Sequence, residues 1–364
     1  MAYCTRCGKK LFEGSVFCYS CGAKAAPATL PPYSPPNNRP VYREPQPPRK
    51  SSGATFLNTG LGFVLIGVLL IAVQVLFFST PMAISQGNIR NVFLHFALLV
   101  SLAFGSVLAV RAKGPDLSIG AVTALSGIII SLVVQSGGSW FVGLLLAIVA
   151  AAAIGAVNGL INALMPVQSA GLSVFISAVV TFVASFVVRQ LAGALSGGSR
   201  TAVDLPAMEL VLPFMILLLV SFILAFFLNF GTKLGTPVYS NKRPVGLCIG
   251  AYITSAVIAA LVGFCFLIRL RVASPTMGSG YEIYILFVFA CIMSSRALDN
   301  RAAPVLFALM PAVIWSLLNN AFLLQGLPTY SQDIIFIILT VIILAAAFIS
   351  HHQKKDKSNE ALGS

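Results

Sequence analysis

The sequence predicts an all-α polytopic membrane protein with about ten spanning helices, and three observations predict it. Of 364 residues, 58% are hydrophobic and 9% are charged, with a mean hydropathy of +0.93. A soluble domain carries roughly 25% charged residues to cover its surface, so a single water-surrounded globule is excluded. Setting aside the polar first 52 residues leaves 312. At roughly 20 apolar residues per span plus short loops, these hold about ten crossings.

The apolar runs fall at 56–78, 91–110, 116–134, 140–164, 172–195, 209–228, 247–268, 281–295, 303–324 and 331–350, each bounded by Gly, Pro or charge. The third and eighth are the shortest or most interrupted. An even count places both termini on one side, and the excess of Lys and Arg in inner loops tells which side. One set of loops and termini holds Arg43, Arg49, Lys50, Arg111, Lys113, Lys233, Lys242, Arg243, Arg296, Arg301, Lys354, Lys355 and Lys357. The opposite set holds Arg90, Arg200, Arg269 and Arg271. Both termini are therefore predicted to be cytoplasmic in a multi-pass plasma-membrane protein. Much of the +13 net charge is then topological, and no nucleic-acid partner is needed to explain it, although an anionic leaflet attracts the same residues.

Four regions follow: a cysteine module over 1–24, a Pro-rich linker over 25–52, the membrane domain over 53–350 and a polar cytoplasmic tail over 351–364. No signal peptide is expected, because the polar module precedes the first apolar run. The module contains Cys4-Thr-Arg-Cys7 and Cys18-Tyr-Ser-Cys21, followed by Gly8 and Gly22. Two such knuckles supply four thiolates that can close a tetrahedron around one structural Zn²⁺. A segment of this length has too little core to fold without metal. Redox-active dithiols are the alternative, disfavoured in a reducing compartment. The module thus reads as a small zinc ribbon. Nine prolines between Pro27 and Pro48 deny backbone donors to helix or sheet, so the linker reads as semi-rigid and disordered. Cys248, Cys265 and Cys291 lie in apolar runs and read as packing residues.

Between Gly53 and Ser350 there are six acids, each costly at membrane depth. Asp116 sits in Gly114-Pro-Asp-Leu-Ser-Ile-Gly120, and Glu282 follows the Pro/Gly-rich stretch Ser274 to Tyr281. Both lie at the start of the third segment of a five-helix half. Five is odd, so the halves enter the membrane with opposite orientation, and interrupted segments at corresponding positions point to a pathway between them. Asp116 and Glu282 are either helix-start caps or pathway residues. Asn158, Asn162, Asn319 and Asn320 are either interhelical hydrogen-bond partners or solute ligands. Arg189 either pairs with a carboxylate or extends its stem to an interface. His95 reads as a packed histidine. Gly127, Gly143, Gly155 and Gly159 mark close helix crossings. No Walker loop, nucleophile elbow or His-Glu-x-x-His pair is present, so no catalytic activity is expected.

The string Gly114 to Gly120 resembles the Gly-x-Asp-Leu-Ser-x-Gly segment of the ribose-type, or monosaccharide, permease subunits of bacterial ABC importers. Gly155-Ala-Val-Asn-Gly-Leu-Ile161 is similar to that family's Gly-x-x-Asn-Gly-Leu helix. Arg269 to Glu282 and Asn319 to Gln332 resemble two further segments, in order and spacing. The resemblance covers residues 56 to 350. It implies two inverted five-helix halves, a homodimer or heterodimer of permeases, an extracellular solute-binding protein and a separate ABC ATPase subunit. It also implies a solute path to which Asp116, Ser118, Asn158, Glu282, Asn319 and Asn320 are assigned. ATPase coupling is assigned to Lys233, Lys242 and Arg243 in the inner loop after the sixth helix, which lacks the family's usual docking pattern. A monosaccharide or related polar solute is the expected cargo. The alternative is a non-transporting membrane protein that presents its zinc ribbon to a cytoplasmic partner.

Overall fold

The computed structural model describes residues 81–165, 170–205, 211–231, 244–294 and 303–363, together with Arg6, Phe17, Cys21 to Ala23, Ala72 and Ser79. The chain divides into residues 1–52 and 53–364. Apart from Ala72, the first run, 56–78, lies outside the described residues, as do the inner loop carrying Lys233, Lys242 and Arg243 and the residues Cys4, Cys7 and Cys18.

The second unit is a helical membrane domain. Its helices are α1 (Gln86–Ala112), α2 (Ile119–Gln135), α3 (Trp140–Leu164), α4 (Ala170–Leu195), α5 (Val211–Gly231), α6 (Val245–Leu270), α7 (Tyr281–Ser294), α8 (Ala303–Phe307), α9 (Leu309–Leu324) and α10 (Thr329–Gly363). Among the described residues seven stretches are long and apolar enough to cross a bilayer, whereas α2 and α7 are apolar but shorter. These two are the third and eighth predicted segments. Both are preceded by Gly/Pro stretches, 113–118 and 271–280, which consume chain that would otherwise lengthen the helix.

Two helices form the centre. In their most apolar windows α1 is 78% buried and α6 is 67% buried, against 22% for α3, α4 and α5. The outer helices instead expose Phe141, Val149, Phe175, Phe182, Phe186, Phe227 and Val341, side chains suited to lipid. The order of a long enclosed helix, an irregular loop and a short helix therefore occurs twice, as α1–α2 and as α6–α7.

Small residues set the crossings, because lipid offers no hydrophobic drive and close backbone packing must supply the contact. A Cβ at Gly155 would stand 2.6 Å from the Tyr252 carbonyl oxygen, and one at Gly159 would stand 2.7 Å from Ile249 Cα, so α3 lies directly on the α6 backbone. Gly105 brings α1 to Ser255 of α6, and Gly263 brings α6 to Thr123 of α2. Aromatic packing closes the other side: Trp315 of α9 stacks on Phe336 of α10 and meets Tyr284 and Phe287 of α7.

Three details depart from the sequence reading. The run 303–324 is broken at Ala308, since Pro311 cannot donate to the carbonyl four residues earlier. The loops after α4 and α6 add two short strands, β1 (Thr201–Ala202) and β2 (Val272–Ala273), paired antiparallel with Thr201 opposite Ala273. Finally, α10 continues as helix through residues 351–363, a polar stretch without proline in which Gln353, Lys354, Lys355, Lys357, Glu360, Ala361 and Leu362 favour helix.

Candidate functional site

The loop between α1 and α2 is held inside the domain by side chains of α4 and α6. Tyr252 of α6 donates its hydroxyl to the Gly114 carbonyl at 3.1 Å and shares a 2.5 Å hydrogen bond with Ser177 of α4. Thr181 of α4 donates to the Pro115 carbonyl and accepts from the Leu117 amide. Every backbone group so held is one that the loop, lacking helix, could not satisfy by itself. The Gly114 position leaves no room for a side chain, because its Cβ would lie 2.7 Å from Ser177 Cβ.

Asp116 is fully buried within this loop. Its Oδ1 accepts from the Ser118 amide at 3.1 Å and from the Ser118 hydroxyl at 2.6 Å. Asn158 of α3 donates to the same hydroxyl at 2.9 Å, making a chain from α3 through Ser118 to the carboxylate. Asp116 is thus bound to the start of α2, two residues ahead of its N-cap Ser118, which makes no side-chain cap of its own. Ser255 of α6 extends toward the carboxylate. Asp116 Oδ2 and Ser255 Oγ nevertheless lack hydrogen-bond partners among the described residues.

Glu282, in the first turn of α7, belongs to a second network. Arg189 of α4 reaches Glu282 Oε1 from Nη2 at 2.6 Å and from Nε at 3.2 Å, and Ser185 donates to the same oxygen at 2.9 Å. The guanidinium also donates to the carbonyls of Pro275, Met277 and Gly278, so one cation organises the loop ahead of α7. Of the two readings of Arg189, the structure has carboxylate pairing.

The two loops meet at glycines. A Cβ on Gly120 would stand 2.7 Å from the Gly278 carbonyl oxygen and 3.0 Å from both Arg189 Nη2 and Glu282 Oε1. Gly278 itself has φ +71°, a conformation that disfavours any residue with a Cβ.

Asn319 and Asn320 lie elsewhere. Asn319 donates to Gln332 of α10 at 2.9 Å, while Asn320 and Asn88 of α1 exchange two hydrogen bonds of 2.9 and 3.0 Å. Both asparagines also line an open cavity of about 360 Å³. Its walls are Asn91 and His95 of α1, Phe266 and Arg269 near the end of α6, and Tyr281 opening α7, with Ser279 at the loop. The six path candidates therefore fall in three places: Asp116, Ser118 and Asn158 together, Glu282 with Arg189, and Asn319 with Asn320 at the cavity.

Tyr252, Ser177, Thr181 and Asn88 were not singled out in the sequence. A tyrosine or serine inside an apolar run carries no spacing signal, and their partners are between 64 and 232 residues away.

In the first unit, Cys21 is exposed and Gly22 has φ +69°, the left-handed turn expected after a cysteine knuckle. Among the described residues no cluster of three or more His, Cys, Asp or Glu forms a metal site.

No family model matches the chain, and no solved structure matches it. It is 25% identical over 285 residues to the ribose import permease protein of Escherichia coli K12, covering 73% of this chain and 87% of that protein. It is also 26% identical over 267 residues to the D-allose transport system permease protein of the same strain, covering 69% of this chain and 80% of that one. The chain is thus similar to two sugar permease proteins over most of its membrane domain and most of their length.

Proposed function

We propose that the chain is the membrane-spanning permease subunit of an ABC-type importer for a monosaccharide or a related small polar solute. The 285-residue similarity to a ribose import permease carries the reading. The twice-occurring arrangement of enclosed helix, irregular loop and short helix supports it, since broken segments that line a path are the pattern of transporters built from inverted halves. The chain supplies the path, and ATP hydrolysis belongs to a separate subunit.

Several finer features belong to the same proposal. The membrane domain has ten helices in two inverted halves, with 56–78 as the first and both termini cytoplasmic. Two permease chains assemble around the solute path, receive solute from an extracellular binding protein and couple to the ATPase through Lys233, Lys242 and Arg243. Cys4, Cys7, Cys18 and Cys21 hold a structural Zn²⁺, for which the left-handed Gly22 is the supporting observation.

Affinity purification of the detergent-solubilised chain, followed by mass spectrometry and uptake in reconstituted vesicles, tests the reading. Recovery of an ABC ATPase and a solute-binding protein, with ATP-dependent monosaccharide uptake, is the expected result. Recovery of neither, under conditions that retain a control importer, would overturn it.

A further inference from the structure

The cavity bounded by α1, α6, α7 and α9 has a composition that a solvent-filled crevice in an apolar protein does not require. Arg269 is half-buried in its wall and, among the described residues, has no hydrogen bond or ion pair. Two carboxylates lie close by and neither lines the cavity: Glu282 is held by Arg189, and Asp333 lies beside Gly280. His95 and Tyr281 both sit within electrostatic range of the Arg269 guanidinium. Tyr281 is only 6% exposed, and its hydroxyl is buried without a hydrogen-bond partner among the described residues.

A half-buried cation with no counter-charge among the described residues, next to a buried phenol unpaired among them, is an arrangement that folding alone does not favour. It is repaid when an anion enters. A carboxylate or phosphate can take two parallel N–H bonds from a guanidinium. The surrounding groups specify the rest of such a ligand. Asn91, Asn319 and Asn320 present amides, each with more donor and acceptor sites than its observed bonds use, and these suit hydroxyl groups. Phe266 offers an apolar surface beside them. The volume of about 360 Å³ lies at the small end of the range for small-molecule sites.

We propose that this cavity is a binding site for a small hydroxylated anion, with Arg269 as the charge partner, Tyr281 as a hydroxyl partner, and Asn91, Asn319 and Asn320 as the polyol-facing amides. The chemistry is shared by sugar acids, sugar phosphates and the glycerophosphate headgroup of an anionic lipid. Binding is a property of the folded chain alone and does not depend on the transport reading, so its test needs neither ATPase nor binding protein.

The test uses the full chain in nanodiscs of phosphatidylcholine, titrated calorimetrically with D-glucuronate, D-ribose 5-phosphate and D-ribose. The two anions are expected to bind saturably and D-ribose not to displace them. Arg269→Gln is expected to weaken anion binding at least about tenfold, and Tyr281→Phe about threefold, the losses proper to a charged and a neutral hydrogen bond. Ser279→Asp, at an exposed lip position, removes no buried group and is expected to weaken binding by adding negative charge, so it decides the matter if Arg269→Gln does not fold. A parallel arm measures phosphatidylglycerol retained by the purified chain; retention that depends on Arg269, with soluble anions competing, identifies a lipid headgroup as the source. D-ribose binding as tightly as the anions would overturn the proposal. So would anion or phosphatidylglycerol binding that neither Arg269→Gln nor Ser279→Asp reduces, or the absence of both. None of these results bears on uptake.

Discussion

Arg189 Nη2 stands 2.6 Å from Glu282 Oε1 although 93 residues separate the two, and the same guanidinium holds three carbonyls of the loop that leads into α7. The side chains are 22% and 17% exposed, so water screens the pair only in part. Removing the cation leaves a carboxylate and three carbonyls short of donors. Arg189→Met is expected to destabilise the domain by about 2–4 kcal/mol, and Glu282→Gln by less, because the amide oxygen still accepts from Ser185. Thermal unfolding in detergent, followed by the fluorescence of Trp140 and Trp315, checks the order.

The meeting of Gly120 with Gly278 predicts a size limit. Gly120→Ala places a methyl 2.7 Å from a carbonyl oxygen and 3.0 Å from the ion pair, so it is expected to cost about 1–3 kcal/mol. Gly193→Ala, in α4 with nothing within 4 Å of the added carbon, is expected to be neutral or mildly stabilising. Equal melting temperatures for the two variants would count against the close approach.

Asp116 is used as an acceptor through Oδ1. Asp116→Asn keeps that acceptor and is expected to preserve the fold, whereas Asp116→Leu leaves the Ser118 amide and hydroxyl unpaired and is expected to cost about 1–3 kcal/mol. Size-exclusion profiles and melting of the two proteins distinguish them. An Asp116→Asn protein as unstable as Asp116→Leu would mean that the negative charge, and not the acceptor, is what the loop requires.

For the cysteine module, one zinc per chain is expected by elemental analysis. Cys4→Ser or Cys18→Ser is expected to lose it while the membrane domain inserts normally, since metal binding and folding of so short a ribbon are one event. Stoichiometric zinc in either variant would rule out four-thiolate ligation.

If the loop after α5 couples to an ATPase, reversing its charge has a direct effect. Lys242→Glu combined with Arg243→Glu is expected to reduce co-purification of the ATPase without changing yield of the permease. Unchanged association would move the contact elsewhere on the inner face.

The helical layout was legible because bilayer length and apolar composition are local properties of the chain. The run read as 140–164 coincides with α3, and the interrupted approaches to 116–134 and 281–295 correspond to the two short helices. Pairings were not legible. Arg189 offered two readings, and nothing near it in sequence points to Glu282; the choice depends on α4 crossing the start of α7, which is tertiary. Asn158 was legible as a hydrogen-bonding residue, but its partner Ser118 was not. The cavity was the least legible feature, since Asn91, His95, Arg269, Tyr281 and Asn320 come from four separate helices and share no motif. In the sequence Arg269 reads as a loop charge and as the start of one resembling segment, and His95 as a packed histidine; neither reading points to a cavity wall.

Helix α6 packs on α1, α2, α3 and α5, and its contact with α3 is backbone against backbone at Gly155 and Gly159. At those two points the backbones are too near to slide past one another without steric collision, and Trp140 of α3, stacked on Phe264 of α6, fixes the crossing further along. If the chain moves during transport, the displacement is therefore expected away from that crossing, for example at α4 and α10, which expose Phe175, Phe182 and Val341. The α1–α3–α6 block would serve as the fixed frame against which that displacement is measured.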